Sequence, residues 1–276
     1  MIVKTVDGYQ FVIREGFVRD MLAVDVEELL IVKAIHELAG TNKILVDVGA
    51  HVGTHTVRAA KDYADVFAIE PNPENLQVLR QNIKLNDLKN VSVFEYACGA
   101  STGEVFLSGN DSDSFVIADS TCRCVGMLPL DSLVSSAHVV KIDVEGFEEQ
   151  VVLGAQRLIK ECRPVFVIEH HLSRGFPTCV GMKTRIAALL PDYVHVPIEE
   201  YHVVHLPRGM AQGAGWIVST GWAMRMFDNL KAGRSWYGGL PYSWWHGRPM
   251  FETILGIRHH VANEPEWLRP FEEVVE

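Results

Sequence analysis

Residues 44–206 alternate between short hydrophobic runs and stretches with helical spacing. Five hydrophobic runs have the length of buried strands: 44–48, 66–70, 91–96, 139–143 and 165–169. Helical spacing begins near Thr54, at Asn72 and near Phe147, and it recurs at about 181–190. Strands separated by helices are typical of βαβ units, in which the strands run parallel. The pattern therefore predicts a mostly parallel sheet covered by helices.

The end of this region departs from the parallel pattern. Two short strands, about 193–198 and 201–206, follow each other too closely for a crossover helix, which predicts an antiparallel hairpin. Residues 104–108 are a further strand candidate, and 109–120 are predicted to form a polar loop. We therefore predict an α/β fold with a mostly parallel seven-stranded sheet and a C-terminal antiparallel hairpin. This arrangement is typical of Rossmann-like class I methyltransferases and not of the parallel dinucleotide fold.

The flanking segments differ in pattern, so three parts are predicted: 1–42, 43–206 and 207–276. In the first part, short strands at 2–6 and 9–13 flank the turn signal Asp7-Gly8, and a helix follows from the N-cap candidate Asp25. The last part is rich in glycine and tryptophan. Its aromatic residues fit a lid over an acceptor, an ordinary core or a contact in a homo-oligomer.

The charge balance limits the partners of the 276-residue chain. It carries 35 acidic and 25 basic residues, a formal net charge of −10, and it has no run of Lys or Arg. Such a surface does not attract phosphates, so no nucleic-acid partner is expected. The sequence shows neither a signal-peptide core nor an apolar run of membrane-spanning length, so we expect a cytoplasmic protein without a membrane span.

Metal-ligand patterns are weak in this sequence. The five cysteines are irregularly spaced, and Cys122-x-Cys124 lacks the second cysteine pair of a zinc site. His51 and His55 are four residues apart, but His51 belongs to a turn and local spacing indicates no third ligand. We therefore predict no metal site, and we expect the cysteines to be reduced and mostly buried.

The first strand of the sheet runs into a glycine loop with the pattern Asp47-x-Gly49-x-x-x-Gly53. Glycines let the backbone approach a ligand closely, and the helix that follows offers N–H groups. The dinucleotide pattern G-x-G-x-x-G needs a glycine where this chain has His51, which argues against NAD or FAD. A carboxylate at position 47 suits an ammonium or sulfonium group, so S-adenosylmethionine is the predicted cofactor. Its contacts in this loop are predicted at Asp47, Gly49, Ala50, His51, Gly53 and Thr54.

Two later strand ends complete the predicted cofactor pocket. Glu70, followed by Pro71, ends the second strand about 20 residues beyond the loop, where a carboxylate accepts hydrogen bonds from ribose hydroxyls. A carboxylate at this position suits both a dinucleotide and S-adenosylmethionine, so it does not distinguish the two cofactors. Taken alone, it also fits an ordinary surface carboxylate. Cys98 ends the third strand region and leaves room for adenine, although a turn of small residues explains it equally well.

The fourth strand ends in Lys141-x-Asp143-x-Glu145. Strand alternation places Lys141 and Asp143 on one face, and Glu145 joins them if the extended geometry persists. Charges are unusual at the carboxyl end of a central parallel strand, which is where open α/β sheets bind ligands. These residues therefore predict a catalytic site at this edge of the sheet, beside the methyl donor. The alternative is a solvated strand end with an internal ion pair.

The fifth strand ends in Glu169-His170-His171, beside the same predicted crevice. A hydroxyl acceptor needs a partner that takes its proton, and carboxylates and histidines are the usual bases. Glu169 and His171 are therefore candidate bases after Asp143. His170 fits an exposed strand end equally well.

These segments together resemble the FkbM-type methyltransferases. The matching stretches follow the same order through 44–171: 46–53, 68–73, 130–133, 141–148, 152–155 and 167–170. The Lys-x-Asp-x-Glu-Gly element is much more specific than the glycine loop. The resemblance implies a Rossmann-like class I fold and methyl transfer from S-adenosylmethionine to a hydroxyl of a sugar, polysaccharide or secondary metabolite.

Some positions depart from the family pattern. The family usually has Asn where this chain has His51, and an aromatic residue where it has His55. The stretch 110–115, which includes Asp113, resembles the serine-rich loop of the family only loosely. No resemblance extends beyond about 206, where acceptor specificity is expected to lie.

The resemblance and the residues together lead to a hypothesis of in-line methyl transfer. The Asp47 loop holds the methionine end of the cofactor and Glu70 holds the ribose. The neighbourhood of Cys98 and Asp113 holds the adenine. The acceptor oxygen lies near Asp143, with a nearby charged residue orienting it or taking its proton: Lys141, Glu145 or His171.

Two other functions remain open at this point. The first is a cofactor-binding or assembly protein of the same fold without catalysis. The second is an RNA ribose methyltransferase, which the negative net charge disfavours.

Overall fold

The computed structural model describes residues 2–5, 8–14, 35, 38, 42–108, 116–117, 121–171, 181–197 and 202–213. The strands of this part are β1 Ile2–Lys4, β2 Gln10–Val12, β3 Ile44–Val48, β4 Asp65–Ile69, β5 Val91–Phe94, β6 Ala97–Cys98, β7 Gly103–Leu107, β8 Val116–Ile117, β9 Arg123–Leu128, β10 Val139–Ile142, β11 Val165–Glu169, β12 Tyr193–Pro197 and β13 His202–Pro207. The helices are α1 Thr54–Ala59, α2 Pro73–Leu85, α3 Leu130–Leu133, α4 Glu148–Leu153, α5 Gln156–Glu161 and α6 Met182–Leu189, and a 3-10 helix covers Arg208–Gly213.

The main sheet has seven strands in the order β12-β13-β11-β10-β3-β4-β5. Strands β11, β10, β3, β4 and β5 run parallel to one another, and β13 runs antiparallel to both β11 and β12. The predicted fold class, a mostly parallel seven-stranded sheet with a C-terminal antiparallel hairpin, is confirmed. Strand order reverses between β3 and β10, so a crevice opens at the carboxyl ends of these two strands.

Each face of the main sheet is buried in its own core. Val46 and Val140 belong to one core, and Leu45 and Val139 belong to the other. Every residue of β10 is buried, as expected for a central parallel strand. Lys141 lies in this strand and is only 2% exposed. Because a buried ammonium group is costly without partners, its carboxylate neighbours are part of the fold.

A second, four-stranded sheet has the order β6-β9-β7-β8. The predicted third strand, 91–96, ends at Phe94, and Cys98 belongs to β6 of the second sheet. Strand β8 lies inside the predicted loop 109–120, and β9 has no predicted counterpart. The residues of β9 are half-buried or exposed, and Gly126 interrupts them, so the strand lacks a hydrophobic run.

The helix predicted from Phe147 is divided into α4 and α5. Gly154 lies between them, at a position where a Cβ atom would lie 2.0 Å from the carbonyl oxygen of Gly99. The carboxylate of Asp131 accepts hydrogen bonds from two backbone N–H groups of α5, at 2.6 and 3.0 Å. The break thus depends on contacts with distant segments, which helical spacing does not reveal.

Strands β1 and β2 form the predicted N-terminal hairpin, with shorter strands than 2–6 and 9–13. Phe11 packs with Val57 of α1, and the N–H of Val12 donates to Oδ1 of Asn82 in α2 at 2.7 Å. The hairpin therefore packs against helices at one side of the main sheet. The predicted helix from Asp25 lies outside the described residues except at two buried positions, Ile35 and Leu38. The tryptophan-rich segment 214–247 and the rest of the C-terminal part also lie outside them.

The described cysteines form no disulfide, and only Cys98 among them is buried. The expectation of mostly buried cysteines is therefore wrong for these residues, because Cys124 lies on an outer position of β9 and is exposed. Within the part of the chain that the structure describes, no helix is both long and apolar enough to cross a membrane.

Candidate functional site

A crevice lies at the carboxyl ends of β3, β4, β10 and β11, where the strand order reverses. Its predicted lining residues are Gly49, Ala50, His51, Thr54, Glu70, Pro71, Cys98, Lys141, Asp143, Glu145 and Glu169. Further lining residues are Val48, His55, Ile69, Asn75, Tyr96, Ala97, Leu107, Val116, Val144 and Phe147. Two separate stretches of predicted residues, 49–71 and 141–169, thus border one cavity.

The glycine loop bends back across the end of β4. The N–H groups of Gly49 and Ala50 both donate to the carbonyl oxygen of Ile69, at 2.9 and 3.1 Å. Gly49 has a φ of +82°, and a Cβ atom there would lie 1.7 Å from the carbonyl oxygen of Asp143. Any side chain at position 49 would therefore separate β3 from the end of β10.

Hydrogen bonds hold Glu70 in a fixed position in the wall of the crevice. Its Oε2 accepts a hydrogen bond from the N–H of His51 at 2.8 Å, and its Oε1 accepts one from the N–H of Asn72 at 2.8 Å. The amide of Asn75 lies 3.4 Å from the same Oε1. Burial raises the pKa of Glu70 to about 7, although these hydrogen bonds oppose the shift. The carboxylate keeps lone pairs for further donors.

Asp47 and Gly53 are not among the crevice-lining residues. Asp47 is fully buried; its Oδ2 accepts a hydrogen bond from the hydroxyl of Thr56 at 2.6 Å, and its Oδ1 lies 3.9 Å from Nζ of Lys141. Gly53 has a φ of +93° and precedes α1, where a Cβ atom would lie 2.7 Å from Leu79. The prediction that Asp47 and Gly53 contact a ligand directly is corrected: Asp47 lies next to Lys141, and Gly53 allows α1 to pack on α2.

Lys141 connects the two parts of the site. Its Nζ donates to Oδ2 of Asp143 at 3.1 Å, which the predicted strand alternation anticipated. The side chain of Asp143 is 22% exposed and faces the crevice. Glu145 does not continue the extended strand, because its φ is +58°. Because the chain turns there, the carboxylate of Glu145 nevertheless lies close to Asp143.

We call the next group the His171 cluster: Asp143, Glu145, Glu148, Glu169 and His171. Nε2 of His171 lies 3.0 Å from Glu145 Oε2, 3.4 Å from Glu169 Oε1 and 3.8 Å from Asp143 Oδ1. On the other side of the ring, Nδ1 lies 2.7 Å from Oε1 of the fully buried Glu148. The predicted catalytic residues Asp143, Glu145, Glu169 and His171 are therefore brought together around one imidazole.

The electrostatic state of the cluster follows from these contacts. Burial lowers the pKa of His171, but the contacts with Glu148 and Glu169 and the charge of Asp143 outweigh burial and raise it to about 11. Burial raises the pKa of Glu169, whereas His171 and His202 lower it by a larger amount. Glu169 is therefore ionised at neutral pH.

His170 has a different environment from its neighbours. It is fully buried, and its ring centroid lies 5.8 Å from that of His205. Burial lowers its pKa to about 3, so the ring is neutral at physiological pH. The alternative of an exposed strand end is therefore wrong for His170.

The adenine side of the predicted pocket is partly described. Cys98 is buried and borders the crevice, and burial raises the pKa of its thiol to about 12. Asp113 lies outside the described residues. Tyr96 and Phe147 border the crevice and were not predicted as site residues. The only signal for them in the sequence was their position along the chain, two residues before Cys98 for Tyr96 and directly after the Lys141–Gly146 motif for Phe147.

The spacing of residues in the sequence also did not indicate a group of three side chains that could bind a metal ion. Asp143, Glu145 and His171 each offer one ligand atom, and these atoms lie within 4.8 Å of one another. The expectation of no metal site was based on cysteine and histidine patterns. Residues 143 and 171 come from the ends of different strands, so local spacing cannot relate them.

The chain is similar to known methyltransferases over most of this region. A model of the methyltransferase FkbM domain matches residues 47–197, more than half of the chain. The hexuronic acid methyltransferase AglP of Haloferax volcanii is 27% identical over 148 residues, which cover 51% of this chain and 61% of the relative. This chain thus spans less than two thirds of that relative.

Solved structures show weaker similarity. The methyltransferase FkbM of Methylobacillus flagellatus has a TM-score of 0.47 and 20% identity, over 60% of this chain and 44% of that one. The precorrin-6y C5,15-methyltransferase of Geobacter metallireducens has a TM-score of 0.42 and 16% identity, over 71% of this chain and 91% of that one. The match of the domain model, across both stretches that border the crevice, assigns the chain to the FkbM methyltransferase family.

Proposed function

We propose that the protein transfers a methyl group from S-adenosylmethionine to a hydroxyl of a sugar or of a related polyhydroxylated acceptor. The observation that carries this proposal is the single crevice that is bordered both by Glu70 and by three carboxylates of the His171 cluster, Asp143, Glu145 and Glu169. A carboxylate suited to ribose hydroxyls and carboxylates suited to accept a proton, all in one crevice, support methyl transfer. The sugar methyltransferase relative supports a carbohydrate acceptor.

The hydrogen-bonding capacity of the crevice walls supports one orientation of S-adenosylmethionine. Its ribose hydroxyls would donate to Glu70, and Cys98 and Tyr96 would border its adenine. The loop 49–54 would hold its methionine end near Asp143. In this orientation its sulfonium methyl group would face the His171 cluster, whose carboxylates suit a cationic donor.

The proposed reaction is an in-line displacement at the methyl carbon. A lone pair of the acceptor oxygen forms the new C–O bond while the C–S bond of the methyl donor breaks. The electron pair of the C–S bond remains on sulfur, which becomes a neutral thioether. The hydroxyl proton passes to a crevice carboxylate, for which Asp143 is the first candidate. Lys141 positions Asp143 through its hydrogen bond. Much of the rate is expected to come from alignment of the two reacting atoms.

The experiment that tests the proposal is methyl transfer to a panel of hexuronic acids, neutral sugars and oligosaccharides. Formation of S-adenosylhomocysteine and a methylated product are measured by mass spectrometry. A methyl ether on a sugar hydroxyl is the expected product. Tight cofactor binding without turnover on any acceptor would favour the non-catalytic alternative instead.

The acceptor preference is proposed to depend on residues 207–276, outside the cofactor-binding part 43–206. Among the residues that the structure describes, those that line the crevice all precede position 170, which is consistent with a separate segment that selects the acceptor. Exchange of 207–276 with the corresponding segment of a relative is the direct test of this division.

Glu70 predicts a pH dependence of cofactor binding. Its pKa is about 7 in the free protein, and the ribose hydroxyls favour the ionised form because that form only accepts hydrogen bonds. Affinity for S-adenosylhomocysteine is therefore expected to be constant above pH 7 and to fall up to about tenfold per pH unit below it. Calorimetric titration across this range measures the effect. The Glu70→Gln variant should bind more weakly and lose this dependence; an unchanged pH profile in that variant would contradict the assignment.

A further inference from the structure

The His171 ring is fixed so that one nitrogen faces several carboxylates. Oε1 of Glu148 accepts a hydrogen bond from the N–H of Gly146 at 2.9 Å, so this carboxylate acts as an acceptor. Nδ1 of His171 therefore carries a hydrogen and donates to Glu148. This hydrogen bond orients the ring so that Nε2 faces Asp143, Glu145 and Glu169. A histidine that donates its second ring nitrogen to a carboxylate is the usual arrangement of a metal ligand.

Nε2 of His171 is a buried ring nitrogen with no directed hydrogen bond to the described residues. The side chain is only 8% exposed, so water cannot reach it freely. The carboxylate oxygens around it lie close enough to repel one another unless a positive charge lies among them. A proton on Nε2 supplies one such charge. A divalent cation supplies two, and it can bind a further oxygen ligand.

The distance between Nε2 of His171 and Oε2 of Glu145 fits a cation with bonds of ordinary length. The distance from Nε2 to Oδ1 of Asp143 lies between the values for adjacent and opposite ligands of such an ion. Neighbouring ligands of an octahedral ion with bonds of about 2.1 Å lie about 3.0 Å apart. Nε2 of His171 lies 3.0 Å from Oε2 of Glu145 and 3.8 Å from Oδ1 of Asp143. Oδ2 of Asp143 is engaged by Lys141, which leaves Oδ1 directed toward the ring. Carboxylates together with one imidazole suit Mn²⁺, which accepts both oxygen and nitrogen ligands.

We propose that Asp143, Glu145 and His171 bind a divalent cation, and that this cation holds the acceptor hydroxyl beside the methyl donor. The first half of the proposal stands on the cluster alone, whereas the second half rests on the proposed function. Asp143 and Glu145 border the crevice, so a cation between them has its remaining coordination positions toward an acceptor. A bound cation makes a hydroxyl more acidic, which lessens the demand on any single base. Vicinal hydroxyls of a sugar are suitable ligands.

The test is titration of the full chain with Mn²⁺, followed by electron paramagnetic resonance, without cofactor or acceptor. We expect one tightly bound ion per chain. Glu145→Gln is expected to weaken binding at least about tenfold, as loss of a supporting group commonly does. The matched control is Glu161→Gln, an exposed carboxylate on α5, which should leave binding unchanged. Absence of a bound ion, or equal affinity in both variants, would overturn the proposal.

A second measurement does not depend on the folding of a variant. Electron spin echo modulation of the wild-type Mn²⁺ complex is expected to show one imidazole nitrogen bound to the metal. A complex with oxygen ligands alone would overturn the assignment of His171. Because neither measurement involves turnover, metal binding without methyl transfer would reject the proposed function only. Methyl transfer by a chain that binds no ion would reject the metal site only.

Discussion

Replacement of Asp143 by Asn is expected to lower kcat/KM for methyl transfer by about 10²–10⁴-fold, the usual effect of losing one positioned base. Asn has the same shape, and its oxygen can still accept the hydrogen bond from Lys141, so the fold should be kept. The affinity for S-adenosylhomocysteine is expected to change little, because Glu70 and the loop 49–54 remain. Product formation and calorimetric titration measure the two quantities separately.

The exposed carboxylate Glu161 on α5 again provides the matched control for Asp143. Its replacement by Gln removes the same charge from the chain but lies outside the crevice-lining residues. Its activity should equal that of the unaltered protein. Near-normal methyl transfer by Asp143→Asn, with normal cofactor binding, would remove Asp143 from the mechanism. In that case Glu169, which also borders the crevice, would become the first candidate base.

Replacement of Gly49 by Ala is expected to lower the free energy of unfolding by at least about 3 kcal/mol, or to prevent folding. Two costs combine at this position. The φ of +82° disfavours any L side chain, and the new Cβ would lie 1.7 Å from the carbonyl oxygen of Asp143. Since neither backbone segment can yield without breaking the β3–β10 contact, cofactor binding should be lost as well. Urea denaturation and calorimetric titration measure the two effects.

Replacement of Gly8 by Ala distinguishes the cost of the backbone conformation from the cost of the steric clash. The φ of Gly8 is +93°, but a Cβ atom there would have no neighbour within 4 Å. Gly8→Ala should therefore cost only the backbone conformation, about 1–2 kcal/mol. The difference between the two variants measures the contact between the glycine loop and the end of β10. Equal losses of stability in both variants would show that this contact contributes nothing.

The parts of the fold that the sequence predicted well are those with strong local signals. The bounds of β3 and β11 agree with the hydrophobic runs to the residue, because buried parallel strands need apolar side chains on both faces. The helical spacing that begins at Asn72 agrees with α2, because Asn72 caps the helix through Oδ1 and Pro73 follows at the first helical position. In contrast, β9 was missed because it is half-exposed and contains Gly126.

The functional site shows the same division. Its location could be predicted, because glycines that follow a hydrophobic strand and charged residues at strand ends are visible in the sequence. The orientation of the side chains could not. Asp47 was expected to meet the cofactor, yet it is buried against Thr56 and Lys141. Local sequence patterns do not show whether a side chain at a strand end will face the crevice or pack against a neighbouring element.

The sequence by itself determined the alternation of strands and helices, the glycine loop and the Lys141–Gly146 motif, since each depends on residues that are close along the chain. Only the tertiary structure decided what gathers around His171. Glu148 and Glu169 lie 23 and two residues from it, on different elements, and they contact opposite sides of its ring. Such a cluster exists because parallel strands end at one edge of the sheet, and their order in space differs from their order in the chain.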